Sequence, residues 1–429
     1  MRVNKNLLIV CPRFPPANAA DSHRVRLSLP YYAGNGWETT VLSVVDESGA
    51  EDHMLLESLP KESRIVRVPV WSERVCRKFG FGQLDYRSFI PLLLGGMRML
   101  RRKQFDVVLF SSTVFLSFIL GPIWKKIYGC RIVFDYQDPW YYGDQQPYTR
   151  ETVPGTWWKY KLNQAIARML EPVALKAADH IISVSHGYVD ALCARYTFLS
   201  KDRFTVLPFP ASKRDYEFVK LHNIAQSVFS PDGKIHWVYA GRGGHDMHLA
   251  LNALFGQLAE LTELRPELRS ILRVHFVGTS YAPAGRSVKS IEPIALKFGI
   301  AEMVIEQPDR IPYFEALSLY RQSDLILMIG SEYSDYTASK LFNCILAEKK
   351  VLAIFHQNSL VTSLAKQIPC VFLATFNSQA QKRAFESDVM RGLEWALKAD
   401  NYRLCDERGL SPWLADASTR VQCEIFDRL

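Results

Sequence analysis

The residue types and spacing best suited to chemistry lie in the stretch GSEYSDYTASKLFNCILAEKKVLAI, which begins at Gly330. Glu332 and Asp335 follow a short apolar run, and carboxylates in such a loop can accept hydrogen bonds from ligand hydroxyl groups. Ser339 and Lys340 come just before a helical pattern, where free N–H groups and a positive charge attract an anion such as phosphate. This stretch therefore favours binding of a phosphorylated, hydroxyl-rich ligand.

The helix that follows places Leu341 and Asn343 beside this loop. Thr337 or Ser339 is expected to cap it, so that its exposed N–H groups face the phosphate. Asn343 lies one turn into the helix, where its amide can both donate and accept a hydrogen bond. Lys340 has an alternative interpretation as a solvated helix residue, although its place beside the cap favours phosphate.

A glycine-rich turn, AGRGGHDMHL, begins at Ala240. Glycine-rich turns that lead into a helix present backbone N–H groups to phosphate. Arg242, Gly243 and Gly244 are therefore candidate ligands of the same anion. The alternative is a tight turn whose arginine points into solvent.

A third candidate site is FDYQDPWYY, which begins at Phe134 after an apolar run. The carboxylate of Asp138, and with less support that of Asp135, could accept hydrogen bonds from a ligand or stabilise positive charge on it. Either residue could instead cap the following turn. Trp140 could stack on a sugar ring or pack in the core.

The loop CPRFPPANAADSHR follows the first apolar run. Prolines stiffen it, and its small residues let the backbone approach a ligand. Asn18, Asp21 and Arg24 are its candidate ligand-contacting residues. The next helix is expected to begin near Asp21 or Ser22, either of which could cap it.

All four loops follow short apolar runs that alternate with helix-length segments. Continuous apolar strands separated by helices indicate parallel sheets covered on both faces, and two series indicate two doubly wound α/β domains. Such sheets bind ligands beyond the carboxyl ends of their strands, where these loops lie. The predicted strands are 7–10, 39–44, 64–68, 107–110, 131–134, 180–184 and 205–207, then 236–240, 273–277, 303–306, 325–329, 351–355 and 370–373.

The chain of 429 residues is long enough for two domains. We predict a first domain over residues 1–210, a polar linker over 211–233, and a second domain over 234–412. Neither a GxGxxG dinucleotide fingerprint nor a GxxxxGK[ST] phosphate loop is present, so a dehydrogenase or an ATPase has no support.

These motifs resemble those of retaining glycosyltransferases of the GT-B fold, in particular family 4 and its branch that builds bacterial surface polysaccharides. The first loop resembles the family's PP loop, and GWETTVL at Gly36 resembles its second strand. FDYQDPW resembles a D-x-x-D-x-W motif, and the glycine-rich turn resembles G-R-x-x-x-x-K. The resemblance implies two Rossmann-like domains facing each other across a cleft. It also implies that the segment 413–429 is a helix that crosses back to the first domain.

The stretch at Gly330 resembles the family's E-x7-E region, which implies roles for its residues. Asp335 would contact the transferred sugar, with Glu332 as the alternative carboxylate, and Asn343 would bind the ribose. Arg242 and Lys340 would neutralise the donor diphosphate. The first loop, with Trp140, would line the acceptor side.

The chain departs from the family pattern at three donor positions. The E-x7-E motif reads D-x7-N here, because positions 335 and 343 are Asp and Asn. Met247 stands where the family has Lys, with His245 or His248 as partial substitutes.

The resemblance implies a metal-independent retaining glycosyltransferase without a cofactor. It would move a sugar from a nucleotide-diphosphate sugar to a hydroxyl group, on a lipid-linked or growing surface glycan. Two alternatives remain: a non-catalytic binding subunit that kept the fold, and a sugar-nucleotide epimerase.

The net charge of +8 arises from 52 Lys and Arg against 44 Asp and Glu. Residues 61–103 hold eleven basic side chains and three acidic ones. Such a segment can lie on an anionic membrane surface or form a solvated face. WWKYKL at Trp157 adds aromatic rings suited to lipid headgroups. Nucleic acid is the least favoured partner, because no nucleic-acid-binding signature accompanies the charge.

The eight cysteines are scattered without a CxxC pair, which argues against a disulfide framework or a zinc site. The uncharged segment 107–124 is interpreted as a strand followed by a core helix rather than a membrane span. The apolar run near the N-terminus is too short for a signal peptide. We therefore expect a cytoplasmic protein, with peripheral attachment to the inner face of the cytoplasmic membrane as a further possibility.

Overall fold

A computed structural model provides the structure of the protein. It divides the chain into two compact units, Met1–Phe209 with Ala415–Leu429, and Pro210–Leu414. The residues that the structure describes are 5–46, 51–143, 150, 153, 156–280, 282, 285–333, 340–366, 368–377, 382–398 and 407–429.

The first unit contains a seven-stranded parallel sheet in the order β3-β2-β1-β4-β5-β6-β7. Leu8 and Val10 of the inner strand Lys5–Val10 enter the core on one face, and Leu7 and Ile9 enter the core on the other. Both faces are therefore covered, as the continuous apolar run predicts. The strands are β1 Lys5–Val10, β2 Trp37–Val45, β3 Arg64–Pro69, β4 Val107–Ser111, β5 Arg131–Tyr136, β6 His180–Ser183 and β7 Phe204–Val206.

Helices cover this sheet on both sides. Close packing is clearest at Gly96, where a Cβ atom would overlap the indole ring of the fully buried Trp124. The helices of the first part of the chain are α1 His23–Tyr32, α2 Met54–Glu57, α3 Glu73–Lys78, α4 Leu84–Arg102, α5 Leu120–Tyr128, α6 Trp157–Ala177 and α7 His186–Arg195.

The second unit contains a six-stranded parallel sheet in the order β10-β9-β8-β11-β12-β13. Its strands are β8 Ile235–Ala240, β9 Leu272–Val277, β10 Val304–Gln307, β11 Leu325–Ile329, β12 Lys350–His356 and β13 Val371–Phe376. Its helices are α8 Lys213–Leu221, α9 His248–Leu264, α10 Leu268–Ile271, α11 Glu292–Lys297, α12 Tyr313–Gln322, α13 Leu341–Leu346, α14 Leu360–Ala365, α15 Lys382–Leu397 and α16 Glu407–Leu410.

The last helix, α17 Ala415–Asp427, belongs to the first unit although it follows the second unit in sequence. The ring of Phe426 packs edge-on against Trp37, with 5.5 Å between the ring centroids. Lys5 pairs with Asp427 at 3.0 Å, so the described start of the chain lies beside its end. The expected return of the terminal helix to the first domain is thus observed, and the helix begins at Ala415.

Three local features refine the expectations. Helix α1 is not capped by a side chain: the Ser22 hydroxyl donates to the Ala19 carbonyl at 2.8 Å, and Asp21 binds a neighbouring loop. The predicted capping role of both residues is therefore wrong.

The stretch 211–233, predicted as a linker, carries helix α8 and forms part of the second unit. Segment 107–124 forms β4 and helical turns, and no described helix is long and apolar enough to cross a membrane.

Candidate functional site

The carboxyl ends of β8, β9 and β11 bring together the glycine-rich turn and the entrance to α13. The Gly241 N–H donates to the Val277 carbonyl at 2.8 Å, and the Gly243 N–H donates to the Thr279 carbonyl at 2.7 Å. The Lys340 ammonium donates to the Ala240 carbonyl. Two motifs that are far apart in sequence therefore form one polar surface, as expected for adjacent parallel strands.

Two glycines of this turn lie against charged side chains. A Cβ atom at Gly241 would overlap the Lys340 ammonium. A Cβ atom at Gly244 would lie 2.5 Å from Asp246 Oδ1 and 2.8 Å from Arg242 Nη1. The backbone of this turn therefore packs closely against the side chains of Arg242, Asp246 and Lys340.

Arg242 forms a two-pronged ion pair with Asp246. The distances are 2.9 Å from Nη1 to Oδ1 and 2.6 Å from Nη2 to Oδ2. Although burial favours the protonated acid, hydrogen bonds from Arg242 and Ser331 hold the pKa of Asp246 below its ordinary value. The side chain of Arg242 stays 24% exposed, so the guanidinium is held by a carboxylate and still reaches the surface.

Lys340 lies underneath the same turn. Its ammonium is 4.3 Å from the centroid of the Tyr239 ring, and the Ala240 carbonyl also accepts a hydrogen bond of 3.1 Å from the Tyr320 hydroxyl. Burial lowers the pKa of Lys340 to about 8, and the charges of Arg242 and Arg310 act in the same direction. A nearby anion would favour the charged lysine and relieve this repulsion.

Helix α13 presents one unsatisfied polar atom. Asn343 Oδ1 is buried and accepts no hydrogen bond from the residues that the structure describes. The main-chain carbonyl of Asn343 accepts a hydrogen bond of 2.5 Å from the Tyr216 hydroxyl, which fixes this turn of the helix. Leu341 is buried in the core, so only its backbone is available to a ligand.

Of the two carboxylates predicted to contact a sugar, Glu332 has a described position. Its side chain is exposed, and its N–H donates to the Asp246 carbonyl at 2.8 Å. Asp335 and Ser339, together with Thr337, lie outside the described residues. The glycine-rich turn is thus bonded directly to the loop that leads towards Asp335.

Met247, at the position where family 4 has a lysine, is buried, while the nearby His245 and His248 are exposed. Met247 is fully buried, with its sulfur 3.9 Å from the Tyr239 hydroxyl. His245 and His248, the suggested partial substitutes, both have exposed side chains. Position 247 therefore contributes packing and no charge.

Sequence reasoning missed two charged residues at this edge. Asp246 gave no signal by itself, because its importance depends on its contact with Arg242. Arg310 could have been found, since it follows β10 closely and therefore lies at the carboxyl edge of the sheet.

In the first unit, Asp21 joins two loops at the carboxyl edge of the sheet. It is buried, and its Oδ2 accepts hydrogen bonds from Ser112 Oγ at 3.0 Å, Thr113 N at 3.0 Å and Thr113 Oγ1 at 3.1 Å. Arg13 pairs with the same oxygen at 3.2 Å. Asp21 therefore positions this loop, in which Asn18 is partly buried.

Arg24 is directed into the core. Its Nε lies 2.9 Å from Asp135 Oδ2, and the two side chains are 1% and 0% exposed. Its Nη2 donates to the Leu207 carbonyl at 2.7 Å. These contacts assign Arg24 and Asp135 a structural role, in contrast to the ligand contacts suggested for them.

Asp138 remains available at the same edge. Its side chain is exposed, yet desolvation by the surrounding protein, together with the Asp21 carboxylate, raises its pKa to about 6. A carboxyl group with such a pKa can hold or release a proton near neutral pH. Trp140, two residues later, stacks on Phe115 with 5.8 Å between ring centroids and planes 10° apart, which matches its packing interpretation.

A buried glutamate missed by sequence reasoning fixes the backbone that follows Asp138. Glu171 accepts hydrogen bonds from the Tyr136 hydroxyl, from the Tyr141 N–H at 3.1 Å and from the Tyr196 hydroxyl at 2.7 Å. Arg195 pairs with it at 3.1 Å. A lone Glu inside the helical pattern of α6 gave no sign of these long-range partners.

No group of three or more His, Cys, Asp or Glu side chains that could hold a metal ion occurs in the described part of the chain.

Comparisons with known proteins agree with this architecture. Residues 24–210 match the family model described as Glycosyltransferase Family 4. HepE from Anabaena, solved in complex with UDP-glucose, is 13% identical with a TM-score of 0.59, and the match covers 99% of this chain and 100% of HepE. A glycosyltransferase from Rickettsia africae is 11% identical with a TM-score of 0.55, over 99% of this chain and 98% of that one.

WaaG, a glycosyltransferase involved in lipopolysaccharide biosynthesis, is 14% identical with a TM-score of 0.52, over 97% of this chain and 95% of its own. A search of curated proteins gave no match. The fold implied by the sequence motifs is confirmed, since both parallel sheets and the returning helix align with these structures over nearly the whole chain. The chain is a GT-B protein similar to glycosyltransferase family 4.

Proposed function

We propose that the protein is a glycosyltransferase that moves a sugar from a nucleotide-diphosphate sugar to a hydroxyl group of an acceptor, with no cofactor besides the donor. The observation that carries this proposal is the convergence of Arg242, Lys340 and the unsatisfied Asn343 oxygen at one sheet edge. HepE, which has the same fold, was solved with UDP-glucose, so a UDP-sugar is the first donor to test.

The chemistry of the leaving group explains why these residues suit the reaction. Breaking the bond between sugar and diphosphate leaves negative charge on a phosphate oxygen, which the Arg242 guanidinium and the Lys340 ammonium can stabilise. Each charge-assisted hydrogen bond contributes about 1.5–3 kcal/mol. Helix α13 has only 6 residues. Side-chain charges rather than a helix dipole are therefore the main source of stabilisation.

Asn343 supports the nucleotide end of this proposal. A ribose hydroxyl can donate a hydrogen bond to the unsatisfied Oδ1, while the amide NH₂ can donate to a second hydroxyl oxygen. Because the amide is neutral, this contact is weaker than that of a carboxylate at the same place.

We further propose that the reaction retains the configuration of the transferred sugar and needs no metal ion. The departing phosphate oxygen would accept the proton of the acceptor hydroxyl on the same face of the sugar. Asp335 or Glu332 would contact the sugar hydroxyls, and Asp138 would face the acceptor. NMR of the product determines the configuration, and full activity after EDTA treatment is expected.

The direct test is incubation with UDP-, GDP- and dTDP-sugars, with a lipid-linked glycan as acceptor. At least one nucleoside diphosphate should raise the thermal unfolding midpoint, and its sugar should be transferred. The Arg242→Ala variant should remain folded and lose most of this protection. Absence of binding by every nucleotide would contradict the proposal.

A non-catalytic nucleotide-sugar-binding subunit is the second candidate. Asp246 neutralises Arg242, Met247 contributes no charge, and Asn343 lacks the charge of glutamate. Binding of a nucleotide sugar without transfer to any acceptor, and without conversion of the sugar, would favour this candidate. Conversion of the sugar without an acceptor would instead indicate an epimerase.

For the acceptor, we propose a lipid-linked or surface glycan reached by peripheral attachment to the inner face of the cytoplasmic membrane. The support is an aromatic and basic surface formed by residues 71–81 and 157–162 of the first unit. Trp71, Phe79 and Phe81 are 51%, 73% and 55% exposed, and Trp158 is 61% exposed. Exposed basic residues in the same two segments are Arg74, Arg77, Lys78, Lys159 and Lys161.

The two segments are neighbours despite their distance in sequence. Phe81 packs edge-on against Tyr86 with 5.4 Å between ring centroids, and the Tyr86 hydroxyl donates to Asn163 Oδ1 at 3.1 Å. Their rings and charges can therefore act on one lipid surface. Each basic residue near an anionic surface contributes ~1 kcal/mol.

Vesicle sedimentation tests this attachment. The protein should sediment with anionic vesicles at low salt, remain in solution with neutral vesicles, and be released near molar salt. Phe79→Ser should reduce sedimentation, while Leu221→Ser, which removes a 77% exposed leucine from the second unit, should not. Equal partitioning to both kinds of vesicle would contradict the idea.

A further inference from the structure

We infer that Asp246 is a positioning residue for the anionic end of the donor, acting through Arg242. This inference rests on the proposed function and adds a residue that the sequence motifs do not single out. Asp246 would hold the guanidinium in the orientation that binds phosphate. Neutralising Asp246 should then weaken nucleotide binding, whereas simple competition between Asp246 and phosphate would make the same change strengthen it.

The carboxylate of Asp246 is engaged by hydrogen bonds, whereas the guanidinium of Arg242 is partly exposed. Both oxygens of Asp246 are used by Arg242, and Ser331 adds a further hydrogen bond. Asp246 is 10% exposed, whereas Arg242 is 24% exposed. A guanidinium has five N–H groups in a fixed plane, so one edge can be held while the others face a ligand.

The surroundings make this orientation specific. The turn folds closely over the ion pair, since a Cβ atom at Gly244 would lie 2.5 Å from Asp246 Oδ1. The Asp246 carbonyl also accepts the Glu332 N–H at 2.8 Å. Asp246 thus links the glycine-rich turn to the loop that begins at Gly330, and loss of its carboxylate would free Arg242 to adopt other rotamers.

The signs of the charges distinguish positioning from competition. If Asp246 only competed with phosphate for Arg242, its neutralisation would tighten anion binding. General electrostatics predicts the same, because removing a negative charge near Arg242 and Lys340 makes the site more positive. Weaker binding after neutralisation is therefore the result expected if the carboxylate holds the arginine in place.

The experiment is titration of UDP, GDP and dTDP into the full-length protein by calorimetry. Asp246→Asn keeps the shape of the side chain, and we expect it to weaken the best nucleotide about tenfold. Ser331→Ala, a milder change, should weaken binding about threefold. Asp388→Asn is the matched control, since Asp388 carries one negative charge on α15 of the same unit and pairs with Arg391 of the same helix at 2.5 Å. Its nucleotide affinity should be unchanged.

A double-mutant cycle with Arg242→Ala completes the test. Arg242→Ala alone should weaken binding roughly ten- to a hundredfold, the equivalent of one charge-assisted hydrogen bond. In that background Asp246→Asn should change affinity less than about twofold, because its effect passes through the missing arginine. Thermal unfolding of each variant verifies that it is folded.

The outcomes separate this inference from the proposed function. A wild-type protein that binds no nucleotide contradicts the proposed function itself. A wild-type protein that binds, with Asp246→Asn binding equally or more tightly, overturns the inference and leaves the proposed function standing. An equal loss from Asp246→Asn with and without Arg242 overturns it as well.

Discussion

The side-chain amide of Gln422 in the last helix donates a hydrogen bond of 3.0 Å to the Ser28 hydroxyl in the first helix, 394 positions away in sequence. Its oxygen accepts a hydrogen bond of 2.6 Å from the Tyr32 hydroxyl. Gln422 is fully buried. The amide therefore satisfies polar groups of α1 that would otherwise face the core.

Replacing Gln422 with Leu should destabilise the first unit by about 2–4 kcal/mol. The apolar side chain leaves two buried hydroxyl groups without this partner, and each unsatisfied group costs about 1–3 kcal/mol. Urea unfolding measures the change. The control Gln257→Leu, at a partly exposed position paired with Glu260, should stay within ~0.5 kcal/mol of the wild type.

A buried histidine pair should make stability depend on pH. His236 Nε2 contacts the Asp232 carboxylate at 2.9 Å and therefore carries a proton, so its Nδ1 accepts from His275 Nε2 at 3.0 Å. His275 Nδ1 is then a buried lone pair with no partner in the described structure. Burial, then the neighbouring His236 and Arg273, lowers the pKa of His275 to about 4.

The direction follows from proton uptake. The unfolded chain has an ordinary histidine pKa near ~6.5 and binds more protons than the folded chain below that pH. Stability from this site is therefore full above pH ~6.5 and is lost as pH falls towards 4, by about 2–3 kcal/mol. His275→Gln, whose amide can still donate to His236, should reduce the difference in unfolding free energy between pH 7 and pH 5. An unchanged difference would contradict this assignment.

Arg24 should prove essential for stability rather than for ligand binding. Removing one partner of a buried ion pair costs about 3–5 kcal/mol, so Arg24→Met should lower the unfolding midpoint strongly. Its effect on nucleotide affinity in the still-folded protein should be small. Arg64→Met serves as control, since Arg64 pairs with Glu38 at 3.3 Å on the surface. A folded Arg24→Met protein that has lost acceptor binding would instead favour a site role.

Asp335→Ala should lower turnover by at least ~tenfold with little loss of stability, because its carboxylate is proposed to contact the transferred sugar. Steady-state transfer rates and thermal unfolding measure the two effects. Glu332→Ala is the matched comparison. Normal turnover in Asp335→Ala together with loss of activity in Glu332→Ala would show that the motif is aligned to the wrong carboxylate.

Both series of predicted strands are confirmed by the two sheets. The reason is physical: parallel strands buried on both faces need continuous apolar runs, as in Leu7–Val10. Strand order then determines which loops lie at the carboxyl edge. Because β8 and β11 are parallel neighbours, Lys340 contacts the Ala240 carbonyl although 100 positions separate the two residues. The shared role of Arg242 and Lys340 was implied by the family resemblance.

The remaining features depend on contacts that no local pattern contains. A polar residue at the start of a helix favours capping, but Asp21 forms stronger bonds with Ser112 and Thr113. A glutamate on a helix favours exposure, but Glu171 lies in the core because Arg195 reaches it from another helix. Whether Asp21 caps a helix and whether Glu171 is buried depend on partners that are far away in sequence.

The return of α17 to the first unit has a consequence for folding. The Ala211 N–H donates to the Trp413 carbonyl at 3.0 Å, so the second unit begins and ends at adjacent points. When only the second unit, Pro210–Leu414, is unfolded, docking α17 onto the rest of the first unit closes a loop of roughly 200 residues. Closing that loop costs about 3 kcal/mol more than closing a loop of ~5 residues. Once the second unit has folded, the two ends already meet. Folding of the second unit therefore removes most of the loop-closure cost of docking α17. The stability of the second unit thus supports the position of the helix that carries Gln422.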